Sequence, residues 1–275
     1  MKLLFIGDIV GKPGRQILRR AVPLLVARSG IDLVIANVEN AAGGFGITPE
    51  TAREILNCGV HVMTTGNHVW DKKEAMDYIA NEPRLLRPLN YPATAPGQGV
   101  FVATVGSSRV AVLNAMGRVH MPLVDDPFAA LSKEIARMVN DVPVMFVDFH
   151  AEVTSEKMAL GWFLDGRVSA VVGTHTHVQT ADDRVLPRGT AYLTDVGMTG
   201  PHDSVIGISK EAAIARFTTG LPSRFDTAVG APRLHGVVIT VDADTGRAQA
   251  IERLSLADGD LDALAAAGEV AAGRA

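Results

Sequence analysis

The sequence predicts an α/β protein in which a mixed pair of β-sheets is covered by helices. Strand-like apolar runs alternate with helix-like stretches through most of the 275 residues, as is typical of sheets that lie against helices. Two further segments have the pattern of β-hairpins, which add antiparallel strands. Apolar residues make up 47% of the chain, enough for a sizeable core, so we predict a single domain over residues 1–275.

The individual elements follow from apolar runs and local capping signals. Strands are predicted at 2–8, 32–39, 60–67, 142–150, 168–175 and 189–195. Hairpins are predicted at 99–117 and 235–254, and helices at about 13–28, 49–57, 71–80, 127–139 and 152–164. Thr48 and Pro49 form an N-cap and a first-turn proline, whereas Asp71 and Glu74 have capping-box spacing. The Ala-rich tail from about residue 258 is expected to be helical or frayed.

Charge and cysteine content exclude several classes of protein. Lys and Arg number 26 against 30 for Asp and Glu, so a surface for duplex nucleic acid is not expected. The single cysteine, Cys58, rules out an intrachain disulfide and a Cys-based zinc site, and we expect it in the core. The apolar N-terminus is broken at Gly7 and Asp8, so we expect no signal peptide. No segment approaches the roughly 18–20 apolar residues of a membrane span, and a cytoplasmic location is predicted.

Residues of the types that commonly bind metals stand at the ends of five predicted strands. In chain order they are Asp8, Glu39 with Asn40, Asn67 with His68, His150, and His175 with His177. Ligands of open α/β sheets bind beyond the carboxyl ends of the strands. Carboxylates offset the repulsion between two cations, and imidazoles suit borderline transition metals. The pattern therefore predicts a metal site at this edge, where two ions about 3.5–4 Å apart could hold a phosphate ester. On an extended chain, His-x-His would point both rings to the same side.

Each residue also has a structural alternative. Asp8 alone could be a turn former, and His150 alone could be a hydrogen-bonded histidine at a strand end. The succession of five strand ends favours metal binding. Of the other histidines, His61 is expected to be structural, whereas His120 and His202 lie in loops and could line a pocket.

Two other features concern phosphate and substrate. The segment GDIVGKPG comes close to a P-loop, but its glycines are one residue too near each other and Pro13 replaces the required hydroxyl residue. Loops at about 41–47, 117–126 and 196–210 are the candidates for substrate specificity.

These motifs resemble the calcineurin-like metallophosphoesterase superfamily. Its signature places Asp-x-His, Gly-Asp-x-x-Asp, Gly-Asn-His, His and Gly-His-x-His on successive strand ends. Two departures occur, because Val10 stands where the first histidine would be and Glu39 replaces the bridging aspartate. With these departures, the segments GDIVGKPGR, ENAAGGFGIT, GNHVWDKKE and GTHTHVQTAD resemble the bacterial YmdB-like phosphodiesterases.

The resemblance implies a four-layer double β-sheet sandwich flanked by helices, with the metal site at the carboxyl ends of strands. It implies two metal ions, iron first, with manganese or zinc as alternatives. The implied ligands are Asp8, Glu39, Asn40 and His177 for one ion, and Glu39, Asn67, His150 and His175 for the other.

The implied reaction is hydrolysis of phosphate diesters, in particular of 2′,3′-cyclic nucleotides to 3′-nucleotides. A hydroxide between the metals would attack phosphorus, and His68 would be the general acid for the leaving oxygen. Two alternatives stay open: a metal-dependent nucleotide sensor with little turnover, and a phosphomonoesterase. The resemblance implies that the protein binds a small phosphate diester or cyclic nucleotide as its substrate. We expect no interaction with a membrane. A homo-oligomer is compatible with the alternating Leu and Val of the hairpins.

Overall fold

The computed structural model describes residues 1–272, which form two β-sheets between layers of helices. The elements are β1 (Lys2–Ile6), β2 (Asp8–Ile9), α1 (Gly11–Ser29), β3 (Leu33–Asn37), α2 (Pro49–Asn57), β4 (Val62–Thr64), α3 (Lys73–Ile79), β5 (Val100–Val105), β6 (Ser108–Met116), α4 (Pro127–Met138), β7 (Val144–His150), α5 (Thr154–Leu164), β8 (Ala170–Thr174), β9 (Arg184–Val185), β10 (Ala191–Leu193), β11 (Met198–Pro201), α6 (Lys210–Thr219), β12 (Pro232–Val241), β13 (Ala248–Ala257) and α7 (Asp258–Ala272). The prediction of an α/β fold with two mixed sheets is confirmed.

Each sheet combines a parallel centre with antiparallel strands. The first has the order β2-β11-β12-β1-β3-β4, with β13 paired to β12, and the second has the order β5-β6-β7-β8-β10-β9. Strands β1, β3 and β4 run parallel, as do β6, β7, β8 and β10. Both predicted hairpins are present as β5–β6 and β12–β13. The parallel strands carry their C-terminal loops to one edge of each sheet, where ligands of such sheets bind.

Three apolar clusters lie between the four layers of helices and sheets. In β1, Leu4 packs with Ile17 of α1 on one face of the sheet. On the other face, Phe5 packs against Phe146 of the second sheet with ring centroids 5.1 Å apart. A third cluster joins the outer face of the second sheet to α4 and α5, through residues such as Leu160. Both faces of the central strands are therefore buried, which explains why their sequences are continuous apolar runs.

Most predicted bounds are close, but one helix start is wrong. Thr48 caps α2 by accepting a hydrogen bond from the Thr51 N–H, as predicted. The start of α3 is different, because its N-cap is Lys72 and no side chain caps it. Asp71 does not form the expected capping box with Glu74, since its carboxylate is bound to a histidine ring instead.

Four elements were not predicted: β2, β9, β11 and α6. The three strands have two to four residues, too few for a periodic pattern, and α6 buries only Ala213. The tail from residue 258 is helical as α7, and residues 273–275 lie outside the described residues. The single domain over 1–275 stays a prediction. Cys58 is buried, as expected. No helix within residues 1–272 is long and apolar enough to cross a bilayer.

Candidate metal centre

The structure brings the ligand-type residues of all five strand ends together. His150 ends β7, whereas the other predicted ligands lie in β2 or in the loops that follow β3, β4 and β8. The backbone N–H of His175 donates to Asp8 Oδ2 at 3.2 Å, which ties the loop after β8 to the first sheet. The backbone N–H of His68 donates to Glu39 Oε2 at 3.1 Å, which ties the loops after β3 and β4 together.

His150 Nε2 is the centre of the first group of candidate ligands. It lies 2.9 Å from Asn67 Oδ1, 3.1 Å from Glu39 Oε1 and 3.0 Å from His175 Nδ1. One ring nitrogen offers at most one hydrogen, so hydrogen bonds cannot account for all three approaches. Glu39, His150 and His175 each offer a ligand atom within 4.8 Å of the others. The arrangement fits a metal ion as the common partner.

The second group is marked by buried oxygens without partners. Asp8 Oδ1 and Asn40 Oδ1 are buried and accept no hydrogen bond. Asn40 Nδ2 lies 3.2 Å from both Glu39 Oε1 and His177 Nε2. A buried polar atom without a partner is costly, and a bound cation would satisfy both oxygens. Asp8, Glu39, Asn40 and His177 therefore fit a second ion.

The pKa values of Glu39 and His175 are shifted in the direction that metal binding requires. Burial acts to lower the pKa of His150, but the charges of Glu39 and Asp8 outweigh it and raise the pKa to about 9. Burial raises the pKa of Asp8. Burial also acts to raise the pKa of Glu39, but the charge and hydrogen bond of His150 outweigh it and lower the pKa to about 2. Burial lowers the pKa of His175 to about 3, and the neighbouring His150 adds to this effect. Glu39 is thus ionised and His175 neutral near pH 7, which are the forms that bind metals.

The His-x-His segment is not extended as predicted, although both rings reach the same cavity. His175 has φ 102° and His177 has φ 64°, values that are uncommon for residues other than glycine. The chain turns so that His175 Nδ1 approaches His150, whereas His177 Nε2 approaches Asn40. The two histidines therefore serve different halves of the cluster.

His68 faces the pocket from the other side of Glu39. Its ring Nδ1 lies 2.8 Å from Asp71 Oδ2, and its side chain is 29% exposed. The Phe45 ring packs against it with centroids 5.0 Å apart. Asp71 accepts the Nδ1 hydrogen, which leaves Nε2 as the nitrogen available to a substrate.

Asp148, which the sequence reasoning missed, orients His150 from behind. Its Oδ1 accepts from Thr174 Oγ1 at 2.7 Å, so Thr174 Oγ1 in turn accepts from His150 Nδ1 at 2.9 Å. This chain places the ring hydrogen on Nδ1 and frees Nε2 for a metal. Burial raises the pKa of Asp148 to about 6. A signal existed, because Asp148 lies two positions before His150 in an apolar strand and thus on the same face.

Asp195 and Lys157 were also missed, and they fix the turn between the two histidines. Lys157 Nζ lies 2.6 Å from Asp195 Oδ2, and both side chains are buried. The same oxygen accepts from the Thr176 N–H and Oγ1 at 3.1 and 2.8 Å. Gly197 N–H donates to Asp195 Oδ1 at 2.8 Å. Because Thr176 stands between the two positive-φ histidines, these bonds hold their unusual backbone in place.

A cavity of about 250 Å³ opens beside the cluster. Its lining residues are Val10, Glu39, Asn40, Gly44, Phe45, His68, Glu152, His175, Thr176, His177, Ile206, Gly207, Ile208, Phe225 and Thr227. Two of the three loops expected to bind substrate contribute, 41–47 and 196–210. The loop at 117–126 does not line the cavity, and a segment just before β12 takes part instead.

The remaining histidines lie outside this cavity. His61 Nδ1 accepts the Val34 N–H at 2.9 Å, which confirms its structural role. The expectation that His120 or His202 could line this pocket is wrong. His202 packs against His235 with ring centroids 4.5 Å apart, and His120 lies in an exposed loop.

Comparison with known proteins agrees with these features. A sequence model of the YmdB-like protein family matches residues 4–254. A 2′,3′-cyclic-nucleotide 2′-phosphodiesterase of Bacillus subtilis (strain 168) is 50% identical over 258 residues, which cover 94% of this chain and 98% of that protein. A solved structure of a hypothetical protein from Thermus thermophilus has a TM-score of 0.88 at 43% identity, and covers 94% of this chain and 99% of that chain.

A second solved structure, of a novel phosphatase from Mycoplasma pneumoniae, has a TM-score of 0.89 at 36% identity. The similarity covers 94% of this chain and 93% of that chain. Sequence and structure therefore match along nearly the whole length of these relatives. The chain belongs to the YmdB-like protein family.

Proposed function

We propose that this protein is a metal-dependent phosphodiesterase that hydrolyses 2′,3′-cyclic nucleotides to 3′-nucleotides. The observation that carries the proposal is the cluster around His150 Nε2, in which ligand atoms crowd within about 3 Å of one nitrogen beside two buried, unpartnered oxygens. The Bacillus subtilis relative is a 2′,3′-cyclic-nucleotide 2′-phosphodiesterase, which supports the substrate class.

We propose two ions in this cluster, iron first, with manganese or zinc as alternatives that the mixed donor set also suits. Asp8, Glu39, Asn40 and His177 would hold one ion, and Glu39, Asn67, His150 and His175 the other. When bound, such a pair supplies an activated water and offsets charge on the phosphoryl oxygens.

The protein's own residues position the proton and the substrate. His68 is not needed as a ligand, because its Nδ1 is bound to Asp71 and its ring lines the cavity. We assign His68 as the general acid, which gives its Nε2 proton to the departing 2′-oxygen. No side chain has to attack phosphorus, so no covalent phospho-enzyme is expected.

The two alternatives predict different products. A nucleotide sensor would bind 2′,3′-cyclic AMP without consuming it, and a phosphomonoesterase would release inorganic phosphate from 3′-AMP. The relative's name favours a diesterase over both. A cytoplasmic location stays a prediction from the sequence.

The test is a product analysis of 2′,3′-cyclic AMP hydrolysis by chromatography, with wild type beside Glu39→Gln and His120→Asn. We expect wild type and His120→Asn to form 3′-AMP, since His120 lies outside the cavity. Glu39→Gln should form no 3′-AMP, because Glu39 is a proposed ligand of both ions and the amide lacks the negative charge of the carboxylate. Formation of 2′-AMP, or activity of Glu39→Gln equal to wild type, would contradict the proposal.

A further inference from the structure

A segment that follows α6, residues 220–231, closes one side of the cavity. It is held to the preceding loop by backbone hydrogen bonds, from the Ala228 N–H to Gly207 O at 2.9 Å and from the Ser209 N–H to Asp226 O at 3.0 Å. We call it the α6–β12 segment. It comes from a part of the chain without any predicted ligand.

Two glycines let this segment dock beside the candidate ligands: Gly44 in the loop after β3, and Gly11 at the start of α1. A Cβ on Gly44 would lie 2.6 Å from Thr227 Oγ1, and a Cβ on Gly11 would lie 2.8 Å from Thr227 Cγ2. Both glycines have positive φ, 100° and 58°. Thr227 therefore fills a notch that exists only because both positions lack side chains.

This docking places an aromatic ring at the cavity. Phe225 lines the cavity together with Phe45, Val10, Ile206 and Ile208. None of these five side chains offers a hydrogen-bonding group, in contrast to the ligand residues in the same lining. Phe225 is 37% exposed and Ile206 is 49% exposed. Apolar groups left open beside a polar cluster mark a place where a ligand's apolar surface is covered.

We propose that Phe225 and Phe45 form a nucleobase subsite, which makes 2′,3′-cyclic nucleotides better substrates than cyclic ribose phosphates that lack a base. This proposal rests on the proposed function and names the recognition element of that site. The phosphate lies at the ligand cluster, and the base lies against the aromatic rings. Stacking on aromatic side chains recognises the face of a base and tolerates its identity. We therefore expect adenine and uracil substrates both to be accepted.

The experiment compares two substrates that share the reacting ring: 2′,3′-cyclic AMP and 1-O-methylribose 2′,3′-cyclic phosphate, which has no base. The metal-loaded wild type should prefer the nucleotide. Phe225→Ala should lower kcat/KM for the nucleotide by about 5- to 100-fold, mainly through KM, and leave the base-free substrate unchanged. Phe225→Trp should keep the preference. Phe217→Ala is the matched control, because Phe217 is 84% exposed on α6 and lies outside the cavity lining.

The possible outcomes separate this proposal from the proposed function. Hydrolysis of both substrates at equal kcat/KM by wild type would overturn the subsite but keep the diesterase. Equal losses on both substrates in Phe225→Ala, or a loss in Phe217→Ala as large as in Phe225→Ala, would also overturn the subsite. Hydrolysis of neither substrate by metal-loaded wild type would overturn the proposed function and the subsite with it.

Discussion

Removing the positive charge of Lys157 should destabilise the protein strongly, because its partner Asp195 is buried. The Nζ–Oδ2 distance is 2.6 Å, and the side chains are 2% and 1% exposed. Lys157→Met removes the charge and retains most of the apolar stem. Asp195 then remains as a buried carboxylate that only the hydrogen bonds from Thr176 and Gly197 stabilise.

The expected cost follows from this environment. Breaking a buried ion pair by removing one partner costs about 3–5 kcal/mol. Three hydrogen bonds to Asp195 remain, so we expect the lower end, about 3 kcal/mol. At roughly 2–4 °C per kcal/mol for large domains, the melting temperature should fall by about 6–12 °C. Because Asp195 also holds Thr176, the affinity for metal should fall as well.

The chain offers a matched control at its surface. Lys210 Nζ and Asp203 Oδ1 are 2.7 Å apart, almost the same distance, but their side chains are 46% and 60% exposed. Water solvates Asp203 when its partner is lost, so Lys210→Met should leave the melting temperature nearly unchanged. Both variants would be compared with wild type by thermal unfolding and by urea titration.

A double variant separates lost charge from lost packing. Lys157→Met combined with Asp195→Asn removes both charges and should recover part of the stability lost in the single variant. The reasoning is refuted if Lys157→Met unfolds at the same temperature as Lys210→Met. It is also refuted if the two substitutions act independently, that is, if the double variant loses as much free energy of unfolding as Lys157→Met and Asp195→Asn lose in sum.

Three further predictions concern the metal centre. Asp148→Asn should weaken metal affinity by about 10–100-fold in chelator competition, because Thr174 loses its charged acceptor; unchanged affinity would remove Asp148 from the centre. His68→Ala should retain its metals, while kcat on 2′,3′-cyclic AMP falls about 10²–10⁴-fold. The kcat on bis-p-nitrophenyl phosphate should fall less, because its leaving group needs no proton. Equal losses of kcat on both substrates would argue against a general acid. Gly66→Ala should lose metal in elemental analysis, because the new Cβ would lie 2.1 Å from His150 Cδ2; full metal content would show that the ring can shift without cost.

The alternation of strands and helices was sufficient to predict the sheets and most helices. Continuous apolar runs such as that of β7, Val144–His150, are buried on both faces, and this burial is the reason for their composition. Short elements such as β2 and β11 depend on pairing with each other, Met198 opposite Asp8. No local pattern records that pairing, so the sequence could not predict it.

The rule that ligands gather at strand ends predicted that the candidate ligands lie close together, but not which residues support them. Lys157 lies on a helix, where a charged residue is normally exposed, and only the tertiary structure places it against Asp195. The positive φ of His175 and His177 likewise depends on that distant carboxylate. Phe225 was missed for the same reason, because its position depends on a long-range fit of Thr227 between two glycines.

The measurement that tests the central claim most directly is the metal dependence of diester hydrolysis. Purified protein would be analysed for metals and assayed with 2′,3′-cyclic AMP before chelation, after chelation, and after metal is returned. We predict about two transition-metal ions per chain, 3′-AMP formation that disappears with the metals, and recovery when they are restored. Full activity of the metal-free protein would contradict the account, and so would a metal-loaded protein that binds the nucleotide without hydrolysing it.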